Sequence, residues 1–262
     1  MSRKIVILSI LSILAFISCE ENEEGCLDLL SDNFNFNAVT ECDECCTYPS
    51  AILNFRVDYD TFLSRALLDT FFLDNLNSDT LFLNNIQLAT GVYTFTTPAE
   101  PYQVLGSLSF NGVDVRDDYV LIETPTAVNI GNVRFAGQTD NVEFNIGIDQ
   151  TTVDSWGFLD NIDQTSRLDR LLDNMYEEAI NEVAMMRLSL QVGDSIRQLS
   201  ITSPNSLLLN RVIDKFNEPS DDLSFSLRVD LKILTEGLDP QLSDEEMEAL
   251  IADKLEDSIR LE

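Results

Sequence analysis

The chain has 262 residues, with 46 acidic against 16 basic side chains, no histidine and a formal net charge of −30. That charge repels nucleic acid and anionic lipid headgroups, both of which are bound through Lys and Arg at phosphate. The missing histidine excludes Ser-His-Asp and Cys-His catalysis and His-built zinc or copper sites, and no G-x-S-x-G, P-loop or G-x-G-x-x-G pattern occurs. An apolar content of 44% still marks a folding chain and not an acidic tail.

Arg3 and Lys4 form a short positive stretch, and an apolar run from Ile5 to Ile17 follows. The run is short for a bilayer span and ends in Ser18-Cys19, a small residue before a cysteine. Residues 1–18 therefore read as a lipoprotein signal peptide and Cys19 as the lipidated first residue of the mature chain, with an ordinary secretory peptide as the alternative. Cleavage removes two basic residues and no acidic one, taking the charge from −30 to −32. Residues 19–24 are the lipidated cysteine and an acidic tether, Glu20-Glu21-Asn22-Glu23-Glu24.

Residues 25–49 hold the other four cysteines, Cys26, Cys42, Cys45 and Cys46. In an oxidising compartment, four cysteines in a segment too short for a core read as two disulfides. Adjacent Cys45 and Cys46 are poorly placed to bond each other, so each is expected to join Cys26 or Cys42, in either pairing. A four-cysteine zinc site is the alternative. Asp28, Asp32, Asn33, Asn35 and Asn37 supply oxygens of the kind calcium takes, without the glycine and terminal glutamate of an EF-hand loop.

This part of the chain also carries two resemblances. The acidic tether resembles the export signal that follows the lipidated cysteine in surface-exposed lipoproteins of some Gram-negative bacteria. Gly25, Cys26, Asp28, Asn33, Asn37-Ala38, Cys46 and Tyr48 resemble a short cysteine motif of bacterial surface proteins, with Ser31 and Phe34 where Ala and Tyr are commoner. Together these imply an outer-membrane lipoprotein on the cell surface in preference to the periplasmic face.

From residue 50 to 238 the dominant period is two. Leu53, Phe55, Val57 and Tyr59 alternate with polar residues, as do Val142, Phe144, Ile146 and Ile148, and Leu223, Phe225, Leu227, Val229, Leu231 and Ile233. Such alternation predicts antiparallel sheets with one buried face. Asn111-Gly112, between Leu108-Ser109-Phe110 and Val113-Asp114-Val115, predicts a tight hairpin, and Gly193-Asp194 predicts another between Leu188–Val192 and Leu199–Ile201. Two segments have helical spacing instead. Ser166–Val183 carries Leu168, Leu171, Leu172, Met175, Ala179 and Ile180; Ser243–Leu261 carries Met247, Leu250, Ile251, Leu255 and Ile259, opening on a Ser243/Glu246 capping box. The expected fold is mainly β, an antiparallel immunoglobulin-like β-sandwich with two amphipathic helices, a C-terminal helical segment at 239–262 and a small N-terminal disulfide module.

Three stretches in this domain, Leu81–Leu88, Asp118–Glu123 and Val142–Asp149, resemble in order and spacing the strands of the MbnP-like (methanobactin-associated copper-binding protein-like) lipoproteins, and Met175-Tyr176 falls where that family has a Met-aromatic pair. The resemblance implies a β-sandwich outside the cytoplasm. The family's copper ligands, histidine and a modified tryptophan, are not retained: there is no histidine, and the single Trp156 beside Gly157 and Phe158 reads as a hydrophobic anchor. Phe72–Asn77 and Phe158–Asp163 echo one another, which reads as coincidence in a chain this rich in Asp, Asn and Leu, with a duplicated acidic loop for calcium as the alternative.

The sequence thus points to a non-catalytic lipoprotein whose sandwich binds a protein or glycan partner at the envelope, held to the membrane by its anchor, with no nucleic acid and no cofactor beyond calcium. A calcium- or other metal-binding extracytoplasmic protein and a carboxylate-based extracellular hydrolase are the two competing readings.

Overall fold

The computed structural model describes residues 23–42, 44–58, 71–73, 81–104, 107–110, 113–116, 118–123, 126–155 and 167–262. The chain divides into two compact units, the first ending at Tyr48 and the second running Pro49–Glu262. Cys19 and the signal segment lie outside the described residues, as do Trp156, Phe158–Asp163 and all of Phe72–Asn77 except Phe72 and Leu73.

The first unit contains β1 (Glu24–Gly25) and β2 (Thr40–Glu41), paired in parallel. The second opens with β3 (Ser50–Asp58), β4 (Phe71–Leu73), β5 (Leu81–Thr96), β6 (Tyr102–Gln103), β7 (Ser107–Phe110), β8 (Val113–Arg116), β9 (Tyr119–Glu123), β10 (Ala127–Asn132) and β11 (Gly137–Ile146). Two helices follow, α1 (Gln150–Ser155) and α2 (Arg167–Met175), then β12 (Tyr176–Glu177), β13 (Glu182–Val183), β14 (Met186–Val192), β15 (Ser195–Ile201), β16 (Leu207–Asn217) and β17 (Leu223–Asp230). The chain closes with α3 (Leu231–Leu234), α4 (Asp244–Ser258) and β18 (Ile259–Leu261).

Two sheets make a sandwich. The smaller has the order β10-β3-β17-β18, and its central pair, β3 with β17, is parallel where an all-antiparallel arrangement was expected. The larger is built on β5. Leu88 pairs with Met186 of β14 and Ile122 of β9, and Thr90 pairs with Ile146 of β11 and Val120 of β9. A strand has two edges, and β9 occupies one of them across both positions, so β14 and β11 follow each other along the other edge. Beyond them, β15 pairs with β14 and β16 with β11. The sheet is therefore four positions wide, and β15 and β16 are two segments of one outer rim.

The inward faces of both sheets meet in one core. Leu53, Phe55 and Val57 of β3 and Phe225, Leu227 and Val229 of β17 pack against Ile86, Leu88, Tyr93, Phe95, Val142 and Phe144. Aromatic contacts tie the layers: Phe225 meets Phe95 at 5.8 Å and Tyr93 at 6.4 Å between ring centroids, and Tyr93 stacks on Phe144 at 5.6 Å. The Tyr93 hydroxyl donates to Thr90 Oγ1 at 2.6 Å, which satisfies it in this apolar setting. Burial raises the Tyr93 pKa above its ordinary value, outweighing that bond.

The C-terminal helix α4 lies along the β15–β16 rim. Ser243 caps it with the expected reciprocal box, and Met247, Ile251 and Leu255 enter the core. At its start, Arg197 of β15 donates to Asp244 Oδ1, Pro240 O and Leu242 O. One turn on, Glu248 accepts the Ser200 backbone N–H at 2.8 Å. At its end, Arg211 of β16 donates to Glu256 O and Ile259 O. The helix has acidic residues in its first turn and no basic residue in its last, so Arg211 supplies from another strand the cation that a helix C-terminus favours.

The expected elements need three corrections. The alternation that predicts a strand through Ile233 stops at Asp230, whose carboxylate accepts the Lys232 and Ile233 N–H groups and opens the one-turn α3. The helix expected over Ser166–Val183 ends at Met175, and Tyr176–Val183 forms the small β12–β13 pair. The helix expected to reach Leu261 ends at Ser258, because Ile259–Leu261 pairs with β17. Both expected hairpins are present, Phe110 opposite Val113 and Val192 opposite Ser195.

In β5 the Glu143–Thr94 and Asn145–Gly91 pairs leave Phe144 facing two residues, Val92 and Tyr93, which is a β-bulge. Val92 is held at φ +56°, unusual for a β-branched residue. Gly91 beside it has no room for a methyl: a Cβ would sit 2.4 Å from Tyr119 Cδ1 and 2.7 Å from Asp118 O. Gly91→Ala is therefore expected to destabilise the domain by about 1–3 kcal/mol through overpacking. Gly193→Ala, at a positive φ in a turn where an added Cβ meets nothing within 4 Å, is expected to lose about 1 kcal/mol. Denaturant unfolding of the two variants checks the order.

Candidate functional site

The densest group of sequence-predicted residues is the first unit. Four of its five cysteines form Cys26–Cys46 and Cys42–Cys45, with Cα separations of 5.0 and 5.7 Å. This is one of the two pairings left open by the sequence, and it leaves no thiolate for a four-cysteine zinc site. Cys26 is at the centre: it bridges to Phe34, its carbonyl accepts Asn35 N at 2.8 Å, and the preceding Gly25 carbonyl accepts Cys42 N at 3.2 Å.

The motif positions have structural partners here. Asp28 Oδ2 accepts the Tyr48 hydroxyl at 2.9 Å, and Asp28 Oδ1 accepts Leu30 N. Asn33 bridges to the cysteine segment, accepting Thr47 N at 2.9 Å and donating to Cys45 O at 2.7 Å. Ser31, where Ala is commoner, is wholly buried, with its hydroxyl donating to Asp28 O and its oxygen 3.0 Å from Cys26 Sγ. A side chain on Gly25 would press on Ala38 and Asn35 at 3.0 Å. The motif reads as a set of contacts that closes a loop too small for a core.

The calcium candidates take part in the hydrogen bonding of this unit. Asp28 and Asn33 direct their oxygens at the donors just named, Asn35 Oδ1 accepts Asn37 N at 3.0 Å, and Asp32 is exposed with its N–H on Thr47 O. Among the described residues no group of three or more Cys, Asp or Glu is placed to hold a metal ion. The surface of the unit is apolar to an unusual degree for so short a segment: Leu29, Phe36 and Val39 are each more than two-thirds exposed.

In the second unit the outer face of the larger sheet carries a second small core. Ala89, Tyr119 and Leu121 of β5 and β9 pack with Ile148, Val153, Leu168, Leu171, Met175 and Val183. Arg187 of β14 ties this layer down by donating to Tyr176 O, Asn174 O and Glu177 Oε1. At the start of α1, Asp149 accepts from Thr152 N and from the hydroxyls of Thr151 and Thr152. Burial by itself would raise its pKa, but these hydrogen bonds outweigh it and hold the carboxyl below its ordinary value. That contribution to stability is complete above the ordinary Asp range and is lost as pH falls below it.

The sequence reading missed an arginine row on the outer face of the smaller sheet. Arg228 of β17 lies opposite Arg56 of β3 on one side and Arg260 of β18 on the other. Like charges in register repel, and three carboxylates offset them: Asp58 and Glu262 pair with Arg228 at 3.1 and 2.6 Å, and Asp230 with Arg260 at 3.5 Å. The signal was the arginine at the outward positions of two alternating strands, but the partner rows are set by a parallel register that alternation does not specify.

No family model and no curated protein matches the chain. Among solved structures, MbnP from Methylosinus trichosporium aligns over 72% of this chain and 78% of its own, at 10% identity and a TM-score of 0.36. Agreement of that size carries no residue role from one chain to the other. The three stretches that resemble the MbnP-like lipoproteins overlap β5, β9 and β11, with Asp118 before β9 and Gly147–Asp149 beyond β11, and β5 pairs with both of the others. Among the described residues no helix is long and apolar enough to cross a membrane, which says nothing of a β-barrel.

The oxygens of Asp28, Asn33 and Asn35 already accept hydrogen bonds that hold the first unit together, so calcium would compete with those donors for the same side chains. Millimolar calcium is expected to leave the thermal unfolding midpoint unmoved. A rise of several degrees, the mark of a ligand bound to the folded state alone, would show that a site exists after all.

Proposed function

We propose that the chain is an outer-membrane lipoprotein, anchored through Cys19 and displayed on the cell surface, whose β-sandwich binds a protein or glycan partner without chemistry. The observation that carries this reading is the pairing of the four cysteines that follow the tether, Cys26–Cys46 and Cys42–Cys45. Disulfides persist in oxidising compartments, so a unit stapled twice within a few residues of the signal segment belongs to a chain that leaves the cytoplasm. The signal segment and Ser18-Cys19 supply the route, and Glu20–Glu24 supplies an acidic spacer at the position where surface export is read. A formal charge of −30 keeps such a surface soluble and turns it away from nucleic acid.

A binding role suits the architecture. Both sheets bury their inner faces, and the missing histidine leaves no nucleophile–base pair of the common kinds. What remains outside is a charge-balanced arginine row, a helix-covered outer layer and the apolar tips of the first unit. These are features of a surface that meets another molecule, and none is a cleft built around two isolated carboxylates.

Expression of the full chain in a Gram-negative host with a labelled fatty acid tests the reading. The wild type is expected to take up label and fractionate with the outer membrane. Cys19→Ala is expected to lose the label completely while keeping the disulfides. Protease treatment of intact cells then separates the faces, with digestion expected for surface display and protection pointing to the periplasmic side. Absence of label on the wild type would overturn the anchor.

A further inference from the structure

The two disulfides of the first unit are unlike each other. Cys26–Cys46 spans a sequence separation of 20, with Cys26 1% exposed and packed against Ser31, and Cys46 partly exposed. Cys42–Cys45 spans a separation of 3, and both of its cysteines are partly exposed. The longer loop restrains the unfolded chain more, so reducing Cys26–Cys46 removes more of the constraint that holds the unit than reducing Cys42–Cys45 does.

One residue between the paired cysteines is in a costly conformation. Glu44, between the paired cysteines, has φ +60°, a left-handed geometry that L side chains rarely adopt. Opening the ring frees that residue. The strand contacts just before the ring are made by backbone groups and not by its sulfurs: Cys42 N reaches Gly25 O, and Thr40-Glu41 pairs with Glu24-Gly25.

We propose that Cys42–Cys45 is a thiol–disulfide exchange site that accepts two electrons from a dithiol, while Cys26–Cys46 is a permanent staple. The proposal does not depend on the lipid anchor. In the forward step a thiolate of the dithiol attacks one sulfur of the Cys42–Cys45 bond, forming a mixed disulfide and releasing the other cysteine as a thiolate that takes up a proton. The second thiol of the dithiol then attacks the mixed disulfide, releasing the remaining cysteine. The dithiol leaves as a disulfide, and Cys42 and Cys45 are both reduced. The C-x-x-C spacing serves the reverse step, because it keeps a resolving thiol within reach of any mixed disulfide. Exposed Glu41 and Glu44 flank the pair and repel anionic thiols, so the site selects a neutral or cationic dithiol over glutathione.

The test is reduction of the full mature chain in detergent with graded dithiothreitol, followed by alkylation and mass mapping of each cysteine. Cys42 and Cys45 are expected to be half-reduced at a concentration at least tenfold below that for Cys26 and Cys46. At matched thiol concentration glutathione is expected to act more slowly, with the gap narrowing as salt is added. The double variant Cys42→Ser, Cys45→Ser is expected to keep Cys26–Cys46 oxidised and the unfolding midpoint unchanged. Simultaneous reduction of both pairs, earlier reduction of Cys26–Cys46, or loss of the Cys26–Cys46 bond in the double variant would each overturn the proposal.

Discussion

The second unit depends on one strand having both edges occupied along its length. Strand β5 runs sixteen residues and pairs with β4, β9 and β6 on one side and with β14 and β11 on the other. A strand of that length twists and coils, and a flat partner cannot follow it. The chain meets the constraint by using short partners laid end to end, and by placing a bulge at Val92 where one partner gives way to the next. Gly91 allows the Tyr119 ring and the Asp118 carbonyl to come close at that same place. The seam between β14 and β11 lies three residues earlier, at Ala89, which accepts from Gly147 N and donates to Met185 O.

From that seam the outer layer follows. Where β11 and β14 part, the chain between them leaves the sheet, forms α1 and α2, and returns over the outer face as a second small core around Tyr119, Leu171 and Met175. The same geometry makes β15 and β16 one long rim, and a long open rim invites pairing with another chain. Helix α4 is the remedy. It accepts a rim N–H through Glu248 and is gripped at both ends by rim arginines, Arg197 and Arg211. Toward the far end of β16, where no helix lies, a bulge with Asp214 at φ +43° and the charged Lys215 break the regular edge.

The parts of this fold legible in the sequence are those where burial alternates strictly. Leu53–Val57 and Leu223–Val229 face a single core and read as strands at sight. Leu231 and Ile233 continue the alternation, but Asp230 accepts two following N–H groups, and that local bond ends the strand. The helix expected to reach Val183 was extended by Ala179 and Ile180, which keep helical spacing yet are exposed, so periodicity without burial misled. The division of β5 between two sets of partners was hidden for a different reason: register is a property of pairs, and one sequence shows only one member of each. The candidate site behaves likewise. That four cysteines form two disulfides follows from their spacing, but which sulfurs join depends on the parallel approach of β1 to β2, two residues each.

That approach explains why so small a unit keeps polar side chains where a larger one would keep apolar ones. Residues 23–48 bury little beyond Cys26 and Ser31, and leave Leu29, Phe36 and Val39 outside. A segment of this size cannot offset its chain entropy by burial, so covalent closure and backbone-directed side chains take that part. Asp28 and Asn33 act there as fixed acceptors for Leu30, Thr47 and Tyr48, holding the loop onto the segment that carries Cys45 and Cys46. The apolar residues are thereby released from any duty in folding. Leu29, Phe36 and Val39 can then stay outside without loss to the closure, an apolar surface in a chain otherwise so highly charged.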